Sequence, residues 1–197
     1  MILGFHFIFS AYGFWLPNDP RGSWSDVVRQ YEIAAFGAAT KVTTTRSVAA
    51  QPHNAHARQA AKRALRYPPV RFTGRQARAI GTGLATACVE AGYTTHAAAV
   101  PPDHVHLITA WHPRPIDAIA SHLKARATRA MTEVGLHPMT RFAATGGRLP
   151  SPWARGYWCP FIRGRVQLAR AIRYVEDNPA KAGLRRQRWS FVQPWTG

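Results

Sequence analysis

Acidic residues are scarce: the 197-residue chain holds nine Asp plus Glu against 26 Lys plus Arg, a formal charge of +17. A compact state carrying so little to offset its own repulsion projects a field that draws in a polyanion, and nucleic acid is the expected partner. Cysteine is nearly absent as well. Cys88 and Cys159 stand 71 positions apart with no CxxC, which argues against a disulfide framework or a cysteine zinc site and for reduced thiols in a cytosol. No stretch reaches the ~18 consecutive apolar residues of a membrane span, and no long basic amphipathic helix carries a full apolar face, so no membrane partner is expected. The apolar start, MILGFHFIFSAYGFW, lacks the positive n-region and A-x-A site of a signal peptide and is interrupted by His6; it reads as a buried strand. With 46% hydrophobic residues the chain can build a real core, and one domain over 1–197 accounts for it.

What is present centres on PPDHVHLITAW, residues 101–111. Alternate side chains of a strand point the same way, so His104 and His106 share one face while Val105 and Leu107 occupy the other. Two imidazoles so placed can hold one metal ion. In a chain with nine histidines such a pair also arises by chance, and the spacing by itself leaves both readings open.

Around this strand the elements fall into a recognisable order. Residues 3–11 read as a buried strand closed by Tyr12 and Gly13. FWLPNDPRGSWSD is an irregular loop in which Trp15, Trp24 and Arg21 either stack bases or anchor the loop to the core. Residues 27–36 are weakly helical, and 37–55, rich in Thr and Ala, is the best candidate for a mobile excursion. His53 and His56 have no carboxylate nearby and read as surface histidines. Arg58, Lys62, Arg63 and Arg66 share one face of a helix over 57–67 stopped by Pro68 and Pro69, a face that suits a phosphate backbone or plain solvent. Thr73 and Gln76 form a capping box for a core helix carrying Ile80, Leu84, Ala87, Cys88 and Ala91 and ending at Gly92. Strands over 94–100 and 104–111 follow, joined by the Pro-Pro-Asp turn. A second helix over 116–135 buries Ile116, Ile119, Ala120, Leu123, Ala127 and Val134, with Lys124, Arg126 and Arg129 mostly elsewhere. A short aromatic strand in GYWCPFIRGR then leads to a last helix over 166–178. The order βαββαβ plus a helix predicts an α+β fold, a ferredoxin-like antiparallel sheet with its helices on one face and an additional C-terminal helix.

On the last helix Leu168, Ile172 and Val175 form the apolar stripe, and Tyr174 lies roughly 120° from its centre at about 100° per residue. Arg170 and Asn178, four residues before and after, share its face. Pro179 is expected to end the helix at Asn178 and free that carboxamide to reach inward. A tyrosine hydroxyl can attack a phosphodiester but needs help to ionise, and a cation on His104 and His106 would stabilise charge on the phosphate oxygens. Read alone, Tyr174 is equally an edge tyrosine with its hydroxyl in water.

PDHVHL and RYVEDNPAKAGL, in that order and about 70 residues apart, together with AYGFWLPNDPRGSW near the start and WARGYW before the last helix, resemble the single-tyrosine transposases of the HUH endonuclease superfamily, specifically the insertion-sequence and REP-associated kinds. The resemblance covers most of the chain. It implies a ferredoxin-like catalytic domain acting on single-stranded DNA, often beside a hairpin, with Mg²⁺ or Mn²⁺ held by His104, His106 and Asn178. It implies Tyr174 as the nucleophile that forms a 5′-phosphotyrosine and releases a 3′-hydroxyl, and a cytoplasmic, prokaryotic, nucleoid-associated protein. By softness alone two imidazoles suit zinc or manganese better than magnesium. Candidate DNA contacts are Arg21, Arg58, Lys62, Arg63, Arg66, Lys124, Arg126 and Arg170. Unlike compact members of the family, the chain carries a long basic insertion at about 14–72. Compact members form homodimers with active sites shared in trans, whereas the REP-associated kind can act alone as a monomer, and the sequence leaves both arrangements open. Two other readings compete: a domesticated hairpin-binding protein without cleavage, against which the intact His104, His106, Tyr174 and Asn178 argue, and a replication initiator or relaxase, for which no third motif histidine or paired tyrosine is evident.

Overall fold

The computed structural model describes residues 1–44 and 48–197. Strand β1 (Gly4–Ser10) is followed by α1 (Tyr31–Ala34), α2 (Ala55–Arg63) and α3 (Gly74–Ala91), then β2 (Thr95–Ala99), β3 (His104–Ala110), α4 (Ile116–Glu133), β4 (Phe161–Ile162) and α5 (Arg165–Lys181). The sheet order is β2-β3-β1-β4 with every neighbouring pair antiparallel, so the fold is the expected α+β arrangement. β3 and β1 are its two central strands, which puts the histidine strand in the middle.

Alternation along β1 and β3 explains the layering. Phe5, Phe7, Phe9, Val105 and Leu107 pack with Ile80, Leu84, Ile119, Leu123 and Met131 of α3 and α4 in the main core. Ala97, Ala99 and Ile108 face the other way and pack with Ile162, Leu168 and Val175, so α5 covers the second face. α5 lies against β2 and β3, so those strands are covered on both faces, while on β1 Ile8 and Ser10 stay half-buried. Thr73 caps α3 through the predicted box with Gln76, and Gly92 closes it in the left-handed conformation. α3 and α4 approach so closely that a Cβ at Gly83 would lie 2.3 Å from the Arg126 carbonyl oxygen.

The edges are handled by irregular chain. Along β1 the segment before β4 continues the pairing through Trp158 with Ile8 and Trp153 with Ala11, and the Pro160 and Pro152 carbonyls accept from the His6 and Tyr12 amides, as an edge strand tolerates. Along β2 the C-terminal segment bonds Thr95 through Gln193 and Val100 through the Gln187 side chain, so this edge is occupied as well.

Four local expectations are corrected. α2 ends at Arg63 rather than near Tyr67, because Ala64 caps it and Leu65 turns in to pack with Leu16, Ile33 and Ala61; Arg66 lies beyond the helix. α4 ends at Glu133, leaving Val134 58% exposed instead of buried. The stretch 37–55 is not wholly an excursion: backbone bonds from Thr40 and Val42 stitch it to Pro17 and Ser23, while its residues 45–47 lie outside the described residues. Pro179 does not end α5, which runs to Lys181. Proline there removes only the amide aimed at the Val175 carbonyl, and so near the C-terminus the loss is confined to one bond. The amides of Gly183 and Leu184 still reach the Ala180 and Pro179 carbonyls.

Candidate active site

The β1–β3 register sets His6 opposite Ile108 and Ile8 opposite His106, so the even-numbered side chains of both strands form one row beneath α5. His106 Nε2 lies 2.9 Å from His104 Nε2, and the Asn178 carboxamide nitrogen is 3.2 Å from the same His106 atom. An amide has the same shape either way round, so turning it over would put Oδ1 at that position. The Tyr174 ring stands perpendicular to His106 with centroids 5.5 Å apart, and it meets the His6 ring at 6.1 Å. Tyr174 is 40% exposed while His106 is 3% exposed, so the phenol is reachable above a buried imidazole. Because α5 lies on its own sheet, all four predicted site residues come together within one chain.

A supporting set that sequence reasoning passed over holds these groups. Asp103, read there only as part of a turn, accepts a bond of 2.6 Å from His104 Nδ1, and Arg71 stands 3.8 Å from its other oxygen. Burial on its own would raise the Asp103 carboxyl, but the bond to His104 and the charges of His104, Arg71 and Lys62 hold it below its ordinary range. Phe14 stacks on His104 at 5.2 Å and 8°, and Lys62 Nζ lies 5.5 Å from the Phe14 ring centre, which links α2 of the insertion to the histidine strand. His6 Nε2 sits 2.9 Å from His106 Nδ1. The signal for His6 was its parity: β1 puts phenylalanine at 5, 7 and 9 and breaks the pattern on the face that β3 shares. Lys181 Nζ lies 4.7 Å over the Tyr174 ring, seven residues on, a contact that exists only because α5 continues past Pro179.

Burial, reinforced by the charge of His104, lowers His6 from 6.5 to about 4, and burial with both neighbouring histidines pushes His106 well below its ordinary value. Both are neutral at pH 7, the state in which a ring nitrogen can ligate a cation. The unfolded chain binds these protons more readily than the folded one, so stability is lost as pH falls from 6.5 toward 4. From His6 alone the expected loss near pH 4.5, with chelator present, is about 2.5 kcal/mol. Denaturant titrations at about pH 7 and about pH 4.5 check this; His6→Gln should flatten the dependence, and an unchanged slope would contradict it.

The predicted DNA contacts divide. Arg63 and Arg170 are exposed, and Arg66 is exposed with its guanidinium 5.3 Å from the Tyr67 ring centre. Lys62 is half-buried, its charge disfavoured mainly by desolvation and next by Arg58; the Arg58 Nε is buried and has no hydrogen-bond partner among the described residues. Arg21 is not a surface cation: its side chain is 8% exposed, clamped on buried Asp19 and stacked 3.8 Å from the Trp15 ring centre. Lys124 donates to the Ala154 and Gly156 carbonyls and, desolvated, is lowered to about 8, while Arg126 pairs with Glu90 at 2.6 Å. Both lie on α4, across the sheet from Tyr174, and are used in holding structure.

Among the described residues no group of three or more His, Cys, Asp and Glu side chains is arranged to hold an ion. The groups that do meet are the His104 and His106 imidazoles and the Asn178 carboxamide, with His6 bonded to His106 Nδ1. Among the described residues no helix is long and apolar enough to cross a membrane.

Fold and site together define an α+β protein with two histidines, a carboxamide and a tyrosine gathered on one sheet face. No family model matches the chain, and no curated protein does. Among the solved structures similar to it are these two. A REP-associated tyrosine transposase bound to a REP hairpin aligns at 18% identity over 60% of this chain, with a TM-score of 0.45; the match spans 64% of that protein, less than two thirds of its length. A protein of Deinococcus radiodurans R1 described as a candidate transposase aligns at 16% identity over 90% of this chain and 91% of its own, with a TM-score of 0.42. Likenesses at this level add no argument about chemistry.

Proposed function

We propose that this chain is a metal-dependent single-stranded DNA endonuclease and strand transferase of the tyrosine HUH transposase kind, acting beside a hairpin through a 5′-phosphotyrosine on Tyr174. The observation that carries the reading is the convergence of His104 Nε2, His106 Nε2 and the Asn178 carboxamide beneath the reachable Tyr174 ring. The hairpin is what the sequence resemblance implies; the charge of +17 supports a nucleic-acid substrate independently.

The donor set fits a divalent cation. Of Mg²⁺ and Mn²⁺, two imidazoles beside a carboxamide favour Mn²⁺. Bound there by His104, His106 and Asn178, the ion would polarise a phosphate oxygen and neutralise charge developing on it.

The chain's own residues do the rest. Asp103 accepts the His104 Nδ1 proton, which fixes the tautomer and leaves Nε2 as a donor atom. His6 does the same for His106: with His106 Nε2 given to a ligand, its Nδ1 carries the proton and donates to His6 Nε2. The Tyr174 oxygen attacks phosphorus as its proton is lost to solvent. An O–P bond forms, the bond from phosphorus to the 3′ oxygen breaks, and that oxygen leaves as a 3′-hydroxyl after taking a proton. Attack by another 3′-hydroxyl on the phosphotyrosine restores the tyrosine and rejoins strands. Lys181 holds a positive charge against the ring where the phosphate must approach. One chain supplies the whole site, which supports action in cis.

The test is incubation of labelled hairpin-flanked single-stranded DNA with the protein in Mn²⁺ or in chelator, followed by a denaturing gel. A Mn²⁺-dependent protein–DNA adduct is expected on the single-stranded substrate. Shifted but uncleaved DNA under both conditions would replace the enzyme with a binding protein.

A further inference from the structure

Trp24 is 49% exposed, and its ring packs at 6.0 Å and 47° against the half-buried Trp158, a tilted pair of indoles. Trp158 pairs with Ile8, and Ile8 pairs with His106, so the three side chains share one face and one row across β3, β1 and the edge. Two strand spacings, about 10 Å, therefore separate the backbone of Trp158 from that of His106. Trp24 comes from the loop of the insertion, where Trp15, by contrast, is tied down by its Nε1 bond to the Gly22 carbonyl and by the stacked Arg21. An indole left half in water contributes little to the core, yet its face is what an unpaired base stacks on.

We infer that Trp24 and Trp158 form a base-stacking subsite, which takes an unpaired nucleobase of the single strand close to the phosphate at Tyr174. The inference rests on the proposed reading of the site as one acting on single-stranded DNA. Its occupant is fixed by two features: the strongly cationic chain attracts a polyanion, and the aromatic pair lies in the same row as the histidines where that polyanion would be cut. A protein partner would gain nothing from that alignment. Stacking does not depend on base identity, so the subsite positions the strand rather than reading its sequence.

The probe is a fluorescently labelled oligodeoxythymidine of about 12 nucleotides, compared with an oligomer of equal length and charge whose residues are abasic. Affinities are read by anisotropy with chelator present, so that no cleavage occurs. The wild-type protein is expected to prefer the base-bearing strand by about tenfold, Trp24→Ala and Trp158→Ala each to lose most of that preference with unchanged affinity for the abasic strand, and Trp24→Phe to retain it. Thermal melting of each variant checks the fold, and the Phe variant keeps the test meaningful if an Ala variant is unstable. Equal wild-type affinity for the two strands, or a preference that survives both Ala substitutions, overturns the subsite. Adduct formation in Mn²⁺ is measured in parallel on the hairpin-flanked substrate. A wild type that forms adducts without preferring bases sinks the subsite alone, whereas failure to bind either strand and to form adducts sinks the reading of the site with it.

Discussion

Tyr174→Phe is expected to remove covalent attachment to DNA altogether, a loss of several orders of magnitude in adduct formation, while changing DNA affinity by less than about twofold. The substitution deletes one oxygen. Among the described residues the Tyr174 hydroxyl has no hydrogen-bond partner, and the ring keeps its contacts with His106, His6 and Lys181. Stability should therefore move by no more than about 0.5 kcal/mol, as for a surface change that breaks no packing. Loss of the adduct with intact binding and melting temperature isolates the nucleophile from the scaffold. An adduct that persists in the Phe variant would mean that another group attacks, or that the bond does not involve this helix.

The second large effect concerns the ion. His104→Ala and His106→Ala should each lower Mn²⁺ affinity by more than about a hundredfold, because loss of an outer partner already costs about 10–100-fold and these side chains are the proposed ligands. His6→Ala should fall in that outer range, since it touches His106 Nδ1 and leaves both Nε2 atoms in place. Isothermal titration with Mn²⁺ alone measures all three without reference to activity. His106 is nearly fully buried, so each variant is checked for folding before titration. Equal affinity in the wild type and in His106→Ala would remove the ion from this site; equal losses in His6→Ala and His106→Ala would make the three histidines one structural unit instead.

The site's outline was legible because its parts are local. Period-2 alternation put His104 and His106 on one face, and helical spacing put Tyr174 and Asn178 on another, without knowledge of the sheet. The capping box of Thr73 and Gln76 and the turn before His104 were likewise local and correct. What escaped depends on pairing between distant segments. His6 enters the site only because β1 lies beside β3 in register, a partnership 100 residues apart in sequence. Lys181 was lost to an over-strict reading of Pro179, a residue that a helix tolerates close to its end. Arg21 looked like a surface cation because nothing in a sequence shows that Asp19, two residues earlier, is buried and waiting for it. The contact from Phe14 to His104 is of the same kind, since it needs the insertion to fold back over the strand.

The most direct measurement is the identity of the attached residue. Protein trapped on DNA in Mn²⁺, digested with nuclease and trypsin, is read by mass spectrometry. The account predicts a nucleotide mass on Tyr174, in the peptide 174–181 or its extension from 171, attached through a 5′ phosphate. Attachment to any other residue, or a trapped complex with every tyrosine unmodified, would contradict it.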